Sequence, residues 1–272
     1  MFDKLIYTNS AGKSVEFSLD SQFHSNIRKD VSGLFDVRAT INRSQIVDVD
    51  GDIETGYHVE AREINIKGVI KSYQEDEQDA LINELQGVLS PHMTGTLRYE
   101  GSSVREIAVH ADIAPDVQEY EGQRWPTFYI TLQALDPNWR GLYEKESSIE
   151  ATGTDIYYPG TKACGIEIEI TANADDIDFE SLTISNGDSV QTITFRTGGG
   201  VTLDTDDVLA VNTTPGNVSI LLNGTVALER IDFNNTVFPL LFNGTNTITW
   251  SAYGDESDFT VTIRYTPLYL GK

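Results

Sequence analysis

The sequence contains a single cysteine, Cys164, and few basic side chains for a length of 272 residues. One cysteine excludes a disulfide framework and a cysteine-based zinc site. The 19 lysines and arginines are outnumbered by 42 aspartates and glutamates, which gives a formal net charge of −23. Phosphate contacts need clustered basic residues, so this balance argues against binding to nucleic acids and to anionic membranes.

Long apolar runs and a targeting sequence are also missing. No stretch approaches the roughly 18 consecutive apolar residues that a membrane-spanning helix requires. The first four residues do not show the basic and then apolar order of a secretory signal. We therefore expect a soluble protein that is made in the cytoplasm.

What the sequence does have is a β-type alternation of apolar and polar residues along most of its length. In the first half this pattern predicts strands at 35–41, 64–70 and 128–134, each with one buried face. Tyr129 has the polar parity of its strand and is expected on an exposed contact surface. The fold is therefore expected to be mainly β.

One segment, at about 73–90, has helical periodicity instead. The acidic run 75–77 favours the positive end of a helix dipole, and Pro91 ends the segment. This is the only helix that the pattern predicts. The apolar positions that recur at helical spacing are Leu81, Leu85, Val88 and Leu89.

The second half is expected to contain strands only. Short alternating segments are separated by turn-forming residues, among them three Asn-Gly pairs. Asn-Gly tolerates the positive φ angles of a type I′ hairpin turn, and short strands joined by tight turns indicate an antiparallel β-sandwich. The alternating segments include 166–170, 248–250 and 259–265, and the Asn-Gly pairs are 186–187, 223–224 and 243–244.

The two halves differ in composition, which suggests two domains. Residues 1–145 hold 14 basic and 24 acidic side chains, whereas residues 146–272 hold 5 and 18. The stretch 141–162 is punctuated by Gly and Pro and lacks an apolar period. We predict an N-terminal β domain with one helix at 1–145, a C-terminal β-sandwich at 146–272, and first proteolytic cleavage within 141–162.

Acidic clusters are the candidates for a metal site. Asp48, Asp50 and Asp52 form the densest group, but their spacing does not match an EF-hand loop. An Asp-Gly pair within the group is typical of a turn between two strands, and we favour that interpretation over a cation site. The acidic groups at 175–178 and 204–207 are interpreted in the same way.

Other catalytic or cofactor-binding signatures are missing. Cys164 is interpreted as a small buried apolar residue, and residues 198–200 lack the following Lys-Ser or Lys-Thr of a phosphate loop. Glycoside hydrolysis stays open, because many carboxylate pairs are possible and a sequence does not give their separation. The prediction is a protein that is not an enzyme and has no catalytic, cofactor or metal site. The scattered histidines are His24, His58, His92 and His110.

Several short sequence segments are informative when they are taken together in their order along the chain. They are 5–15, 33–37, 56–64, the predicted helix with 95–100 after it, the Leu-Asp-Pro-Asn-Trp sequence at 135–139, and 238–248. In this order they resemble the distal tail proteins of siphovirus-type bacteriophages, the family that joins the tail tube to the tail tip.

The resemblance implies a structural protein of a phage or prophage tail tip or baseplate. Its N-terminal domains would form a hexameric ring, with outward C-terminal sandwiches of galectin-like or carbohydrate-module-like shape. The implied partners are the tail tube protein, the tail-tip or tail-associated protein and, in some relatives, receptor-binding proteins for host attachment. The resemblance also implies a location in the virion after synthesis in the cytoplasm of a Gram-positive host.

A carbohydrate-binding β-sandwich module for adhesion to host cell-surface glycans is the alternative function. It would explain the second half alone. A structural assembly protein also explains the lack of catalytic residues and the mixed charge of the first half. The two interpretations differ in oligomeric state, because a ring-former is oligomeric and a simple module is monomeric.

Overall fold

In the computed structural model the chain divides into two compact units. Unit 1 contains Met1–Leu142 and Tyr269–Lys272, and unit 2 contains Tyr143–Leu268. Residues Tyr269–Lys272 fall within the predicted C-terminal domain, 146–272, but belong to unit 1 in the structure. The structure describes residues 3–45, 51–119, 124–187, 189–196 and 201–272. Within these ranges no helix has the length and apolar character needed to cross a membrane.

Unit 1 is mainly β, and its described residues include one helix, α1 (Glu75–Val88). Its strands are β1 (Lys4–Asn9), β2 (Ser14–Ser18), β3 (Phe23–His24), β4 (Val31–Ser32), β5 (Ala39–Gln45), β6 (Asp52–Val59), β7 (Arg62–Ile70), β8 (Thr94–Glu100), β9 (Val104–Ala111), β10 (Asp116–Gln118), β11 (Thr127–Ala134) and β12 (Trp139–Gly141).

Unit 2 is built from strands and two short 3₁₀ helices, Leu228–Arg230 and Glu256–Asp258. Its strands are β13 (Lys145–Ser148), β14 (Thr154–Tyr158), β15 (Glu167–Ala172), β16 (Ile177–Asn186), β17 (Ser189–Thr194), β18 (Val201–Leu203), β19 (Val208–Asn212), β20 (Ser219–Leu222), β21 (Thr225–Val226), β22 (Gly244–Tyr253) and β23 (Phe259–Tyr265). A last strand, β24 (Leu268–Tyr269), leads back to unit 1.

The main sheet of unit 1 closes on itself. Its strands follow the order β10-β11-β7-β3-β2-β1-β8-β9-β12-β24, and β4 pairs with β7. Strand β11 pairs with β7 on one side and with β9 on the other. Seven strands from β11 round to β9 therefore form a barrel, which removes the free edges of this part of the sheet.

The interior of the barrel confirms most of the alternation in the first half. Ile64, Ile66 and Ile70 of β7 are buried, as are the apolar residues of β11 with the same parity. Helix α1 is confirmed within the predicted segment, and its apolar stripe is buried. These side chains join one apolar cluster with the inward residues of β1, β2, β8 and β9. The predicted helix residues Leu81, Leu85, Val88 and Leu89 are all buried.

The predicted half-buried strand at 35–41 is wrong. Residues 35–38 are not in a strand, and Phe35 is 65% exposed. Strand β5 begins at Ala39 and pairs with β6 in a separate two-stranded sheet. Its apolar residues alternate as in a buried strand, but the described residues place no second layer over them. The alternation therefore marked a strand correctly only from 39 onward and did not show that it is exposed.

Unit 2 has two antiparallel sheets that share one buried cluster. One sheet has the order β13-β23-β15-β19-β20-β21, and the other has the order β14-β22-β16-β17 with β18 on β16. The inward residues include Ile168, Phe179 and Trp250. This arrangement fits the mainly β prediction for the second half. The galectin-like or carbohydrate-module-like shape stays a prediction.

The stretch 141–162, where the domain boundary is predicted, contains β13 and β14 and buries Ile149 and Ile156. Two other expectations about the second half need correction. The two 3₁₀ helices are not strands. At Asn223-Gly224 both residues have positive φ, as a type I′ turn requires, but at Asn243-Gly244 only the glycine does and it opens β22.

Candidate assembly surface

Strands β5 and β6 form a hairpin, here called the arm, whose two faces differ in chemistry. In its register Ala39 lies opposite Val59, and Ile41 lies opposite Tyr57. Directly opposite residues share a face, so these four side chains form one apolar patch. Ile41 is 46% exposed and Tyr57 is 66% exposed. The arm therefore presents an apolar patch to solvent.

The opposite face of the arm is mostly polar. Thr40 lies opposite His58, and Asn42 lies opposite Gly56. The register shifts between Asn42 and Arg43, which marks an irregularity that strengthens the local twist of a strand pair. Within the described residues, β5 and β6 pair only with each other. An isolated two-stranded sheet is at best marginally stable in water, so the arm has the character of a segment that is completed by a partner.

The base of the arm is set by a close backbone approach. Gly33 has φ +82°, and a Cβ atom there would lie 1.9 Å from the carbonyl oxygen of Glu63. Only glycine allows the chain to turn this close to β7. Leu34, the next residue, is buried in the core of unit 1. The turn and the buried side chain together hold the segment from which the arm extends.

Arg62 joins three separate segments at the base of the arm. Its side chain is buried, and it donates hydrogen bonds to the carbonyl oxygens of Gly33 at 2.8 Å, Pro137 at 2.9 Å and Leu270. Burial lowers the pKa of the Arg62 guanidinium, and the charge of Asp36 opposes this effect in part. Arg62 lies on the same face of β7 as the buried Ile64 and Ile66. An arginine in a position of the alternation that is otherwise apolar is therefore the feature of the sequence that indicates its burial.

A cleft of about 370 Å³ lies beside Arg62 at the base of the arm. Its walls carry carboxylates and guanidinium groups of both signs, together with amide side chains. This mixture suits a protein contact better than a site for an ion of one charge. The charged and amide side chains that line the cleft are Asp36, Arg38, Glu60, Arg62, Glu63, Asn65 and Gln133.

Tyr129 lies on the outward side of β11, as its parity predicts. Its ring is 36% exposed, and the Nζ atom of Lys67 lies 5.3 Å from the ring centroid. A cation at this distance is attracted by the electron-rich face of the ring. This geometry is compatible with the predicted contact surface.

The acidic clusters do not form a metal site within the described part of the chain. Asp48 and Asp50 lie outside the described residues, and Asp52 is exposed on β6. Asp175 accepts two hydrogen bonds from Thr205, and these bonds lower the pKa of its carboxyl group. Among the described residues, no group of three or more His, Cys, Asp or Glu side chains is arranged to hold a metal ion.

The other candidate groups are also dispersed. Cys164 is buried in unit 2, and its backbone pairs with that of Leu241. The Nδ1 atom of His24 lies 2.7 Å from the carbonyl oxygen of Leu19 and 2.7 Å from the Nζ atom of Lys71. Residues 198–200 lie outside the described residues. These positions do not come together as a catalytic arrangement in the part of the chain that is described.

A groove of about 270 Å³ lies on the six-stranded sheet of unit 2, on the face that points away from the core. Ala210 and Leu221 form its apolar part. Arg264 donates hydrogen bonds to Glu146 at 2.7 Å and to Glu169 at 2.9 Å, and both bonds raise the pKa of the guanidinium. The groove therefore combines a small apolar floor with planar polar side chains in hydrogen-bonded positions.

Comparison with known proteins identifies the first part of the chain. Residues 12–134 match the family described as the phage tail protein RIFT-related domain. This match confirms the resemblance to phage tail proteins that the sequence segments indicated. It covers most of unit 1 and none of unit 2. No curated protein sequence matches the chain.

Solved structures show a related fold. The Dit protein (gp 19.1) of phage SPP1, described as a paradigm of the hub adsorption apparatus in phages that infect Gram-positive bacteria, matches with a TM-score of 0.69 and 14% identity, over 98% of this chain and 99% of that chain. At this identity the match shows a shared fold. Chains of the phage P2 baseplate in its activated conformation match more weakly. Their TM-score is 0.40, with 12% identity for the calcium form and 11% for the strontium form, over 97% of this chain and 98% of those chains.

Proposed function

We propose, from the phage tail protein RIFT-related domain at residues 12–134, that this chain is a structural protein of a phage tail tip whose subunits form a ring. The ring is hexameric and joins the tail tube protein to the tail-tip or tail-associated protein and to receptor-binding proteins. The protein acts by assembly and not by catalysis. It is made in the cytoplasm of a Gram-positive host and ends in the virion.

The observation that carries this proposal is the apolar face of the arm. Ile41 and Tyr57 lie side by side, are largely exposed, and belong to a two-stranded sheet without further strands in the described residues. An interface in which the arm of one subunit contacts a different surface of the next is heterologous, and rotation closes it into a ring. The expected occupant of the apolar face is therefore unit 1 of a second copy.

Charge sets the conditions under which such a ring forms. Each copy adds a formal charge of −23, so neighbouring subunits repel one another. Salt screens this repulsion, with a Debye length of about 10 Å at 0.1 M and about 30 Å at 0.01 M. Assembly is therefore expected to weaken as salt is removed, which is the opposite of the behaviour of a protein held by surface ion pairs.

Light scattering coupled to size-exclusion chromatography tests the proposal. Ile41→Asp places a carboxylate on the apolar face and is expected to shift the protein from ring to monomer. Asn42→Asp adds the same charge to the polar face and is the matched control, which is expected to assemble. A strictly monomeric parent protein at high concentration and moderate salt contradicts the ring. Equal loss of assembly in both variants contradicts the role of the apolar face.

A second candidate function, carbohydrate binding by unit 2, is favoured by the groove beside Arg264. Planar polar side chains such as Arg264, Glu169 and Asn212 suit the hydroxyl pairs of a sugar, and Ala210 and Leu221 suit its apolar face. The carboxylates around the groove disfavour an anionic polymer. The ligand class is therefore a neutral cell-surface glycan, and host adhesion is the role.

Binding of neutral cell-wall polysaccharide, measured by calorimetry, tests this second function. Ala210→Tyr fills the groove and is expected to abolish binding. Thr183→Tyr introduces the same side chain on the outward face of the other sheet and is expected to leave binding intact. Polysaccharide that does not bind the parent protein, or that binds both variants equally well, contradicts a glycan site in this groove.

A further inference from the structure

Residues 269–272, here called the strap, lie against unit 1 and are held there by cationic side chains. Arg62 donates a hydrogen bond to the carbonyl oxygen of Leu270, and Arg105 donates one to that of Gly271. The Arg105 guanidinium also lies 3.6 Å from the ring centroid of Tyr269. Charge-assisted hydrogen bonds and cation–π contacts of this kind are stronger than their neutral counterparts.

The fourth strap residue reaches back towards the start of the chain. The Lys272 side chain is only 8% exposed, and its Nζ atom lies 3.7 Å from a carboxylate oxygen of Asp3. The same atom lies 4.0 Å from the ring centroid of Tyr99 and 4.9 Å from that of Phe35. The strap is therefore anchored at each of its four residues, through either its backbone or its side chain.

The strap also contacts the base of the arm. The backbone N–H of Lys272 donates to the carbonyl oxygen of Leu34 at 3.2 Å, and the Lys272 ammonium lies over Phe35. Arg62 connects the same region to the strap, because one side chain bonds the carbonyl oxygens of both Gly33 and Leu270. The residues that precede the arm are thus held by contacts to both the barrel and the strap.

Few other contacts fix the direction of the arm. Strands β5 and β6 pair with nothing else in the described chain, and the hydrogen bond from the Glu60 N–H to the Arg38 carbonyl oxygen closes the arm at its base. The orientation of such a hairpin is set by the conformation of the residues at its base. Any loosening of residues 33–38 therefore reaches the apolar face directly, because the pairs Ala39 with Val59 and Ile41 with Tyr57 lie next to the base.

We propose that the strap is a positioning element that fixes the base of the arm and thereby controls whether subunits assemble. This inference rests on the proposed ring function and adds the regulation of its interface. The contacts that carry it, Arg62 with Leu270 and Leu34 with Lys272, join residues more than 200 positions apart in sequence. The strap directly follows Leu268, the last residue of unit 2.

The test compares full-length protein with three variants. One lacks residues 269–272, and a second is Arg105→Gln, which removes the hydrogen bond to Gly271 and the contact with the Tyr269 ring. Arg140→Gln is the matched control, since the Arg140 side chain pairs with Asp136. Assembly is measured by light scattering over a concentration series. Hydrogen exchange of peptides covering residues 33–45 is followed by mass spectrometry, and circular dichroism reports the fold.

The deletion and Arg105→Gln are expected to weaken assembly and to accelerate exchange at 33–45, each by about tenfold or more, as expected when a segment opens locally. Arg140→Gln is expected to change neither. Unchanged exchange in both strap variants overturns the proposal, and so does faster exchange with unaltered assembly. If the deletion variant does not fold, the assembly and exchange of Arg105→Gln decide whether the proposal stands. If the parent protein does not assemble, the ring function fails, and exchange alone decides whether the strap fixes the base of the arm.

Discussion

Tyr7 packs its ring against the backbone of Gly95, so closely that a Cβ atom at position 95 would lie 2.4 Å from the ring. The Tyr7 hydroxyl is buried, and it has no hydrogen-bond partner among the described residues. Burial raises the pKa of this hydroxyl, since its charged form is not solvated. The barrel thus accepts an aromatic ring at this position at the expense of an unsatisfied polar atom.

Replacing Tyr7 by Phe is expected to raise the free energy of unfolding of unit 1 by about 1 kcal/mol, because an unsatisfied buried hydroxyl costs about 1–3 kcal/mol. Tyr158→Phe in unit 2 is the matched control. The Tyr158 hydroxyl donates to Lys162 O at 2.6 Å and accepts from Leu268 N at 2.9 Å, so its loss is expected to destabilise. Urea unfolding measures both changes. A greater loss of stability in Tyr7→Phe than in Tyr158→Phe would contradict this reasoning.

Gly33→Ala is expected to destabilise unit 1 by roughly 3 kcal/mol or more, because it adds a backbone clash to an unfavourable φ angle. The added Cβ would meet the Glu63 carbonyl oxygen at 1.9 Å. Gly12→Ala is the control, since Gly12 has φ +77° with open space around it, and it should cost only about 1–2 kcal/mol. Equal losses in thermal or urea unfolding would show that the close approach at Gly33 is relieved by movement of the chain.

The stability of unit 1 is expected to depend on Asp3 at acidic pH. Burial pushes the pKa of Asp3 up, but the hydrogen bond from Arg28 and the charges of Lys272 and Arg28 outweigh it and leave the pKa below its usual range. A folded-state pKa below the unfolded value of about 3.9 means that the stabilisation is present above that pH and is lost as the pH falls through the folded value.

Asp3→Asn should therefore destabilise at pH 7, and the destabilisation should decrease as the pH falls below about 4, as measured by urea unfolding. Asp52→Asn makes the same change at an exposed position of the arm and serves as the control, with little expected effect on stability at pH 7. A destabilisation by Asp3→Asn that stays constant as the pH falls would rule out the ion pairs as its cause.

Cys164 is expected to resist thiol reagents in the folded protein. Burial raises the pKa of its thiol to about 11, although a hydrogen bond with Tyr158 lowers it in part. Very little thiolate is then present at pH 8, and the thiolate is the reactive form. Ellman's reagent should label Cys164 only after denaturation, whereas an added thiol in Ser148→Cys, on the exposed side of β13, should react at once. Rapid labelling of the folded parent protein would contradict the buried position.

Local patterns gave most of the secondary structure, because burial of one strand face or one helix stripe leaves a period in the sequence. Ile64 and Ile66 followed that rule, whereas Phe35 and Ile41 showed the same alternation without being buried. Alternation reports that a strand has two different faces, and it does not report what covers them. The arm was missed as an exposed element for this reason.

Contacts between distant residues left weaker signals. Nothing near Tyr269 in sequence indicates that it packs with unit 1, because its partner Arg105 lies more than 160 residues away. The strands within the boundary stretch 141–162 were missed for a different reason. Strands β13 and β14 are short, and their buried residues Ile149 and Ile156 are separated by polar turns, so no period was visible.

The chain leaves unit 1 after Leu142 and re-enters it at Tyr269, which changes what a protease can release. A single cut between Leu142 and Tyr143 produces two polypeptides, but the second one still contains the strap that pairs with β12 and binds Arg62 and Arg105. The two pieces are therefore expected to behave as a split protein, with two bands on a denaturing gel and one peak in native gel filtration. Separation of the two units requires a second cut, at the junction of Leu268 and Tyr269.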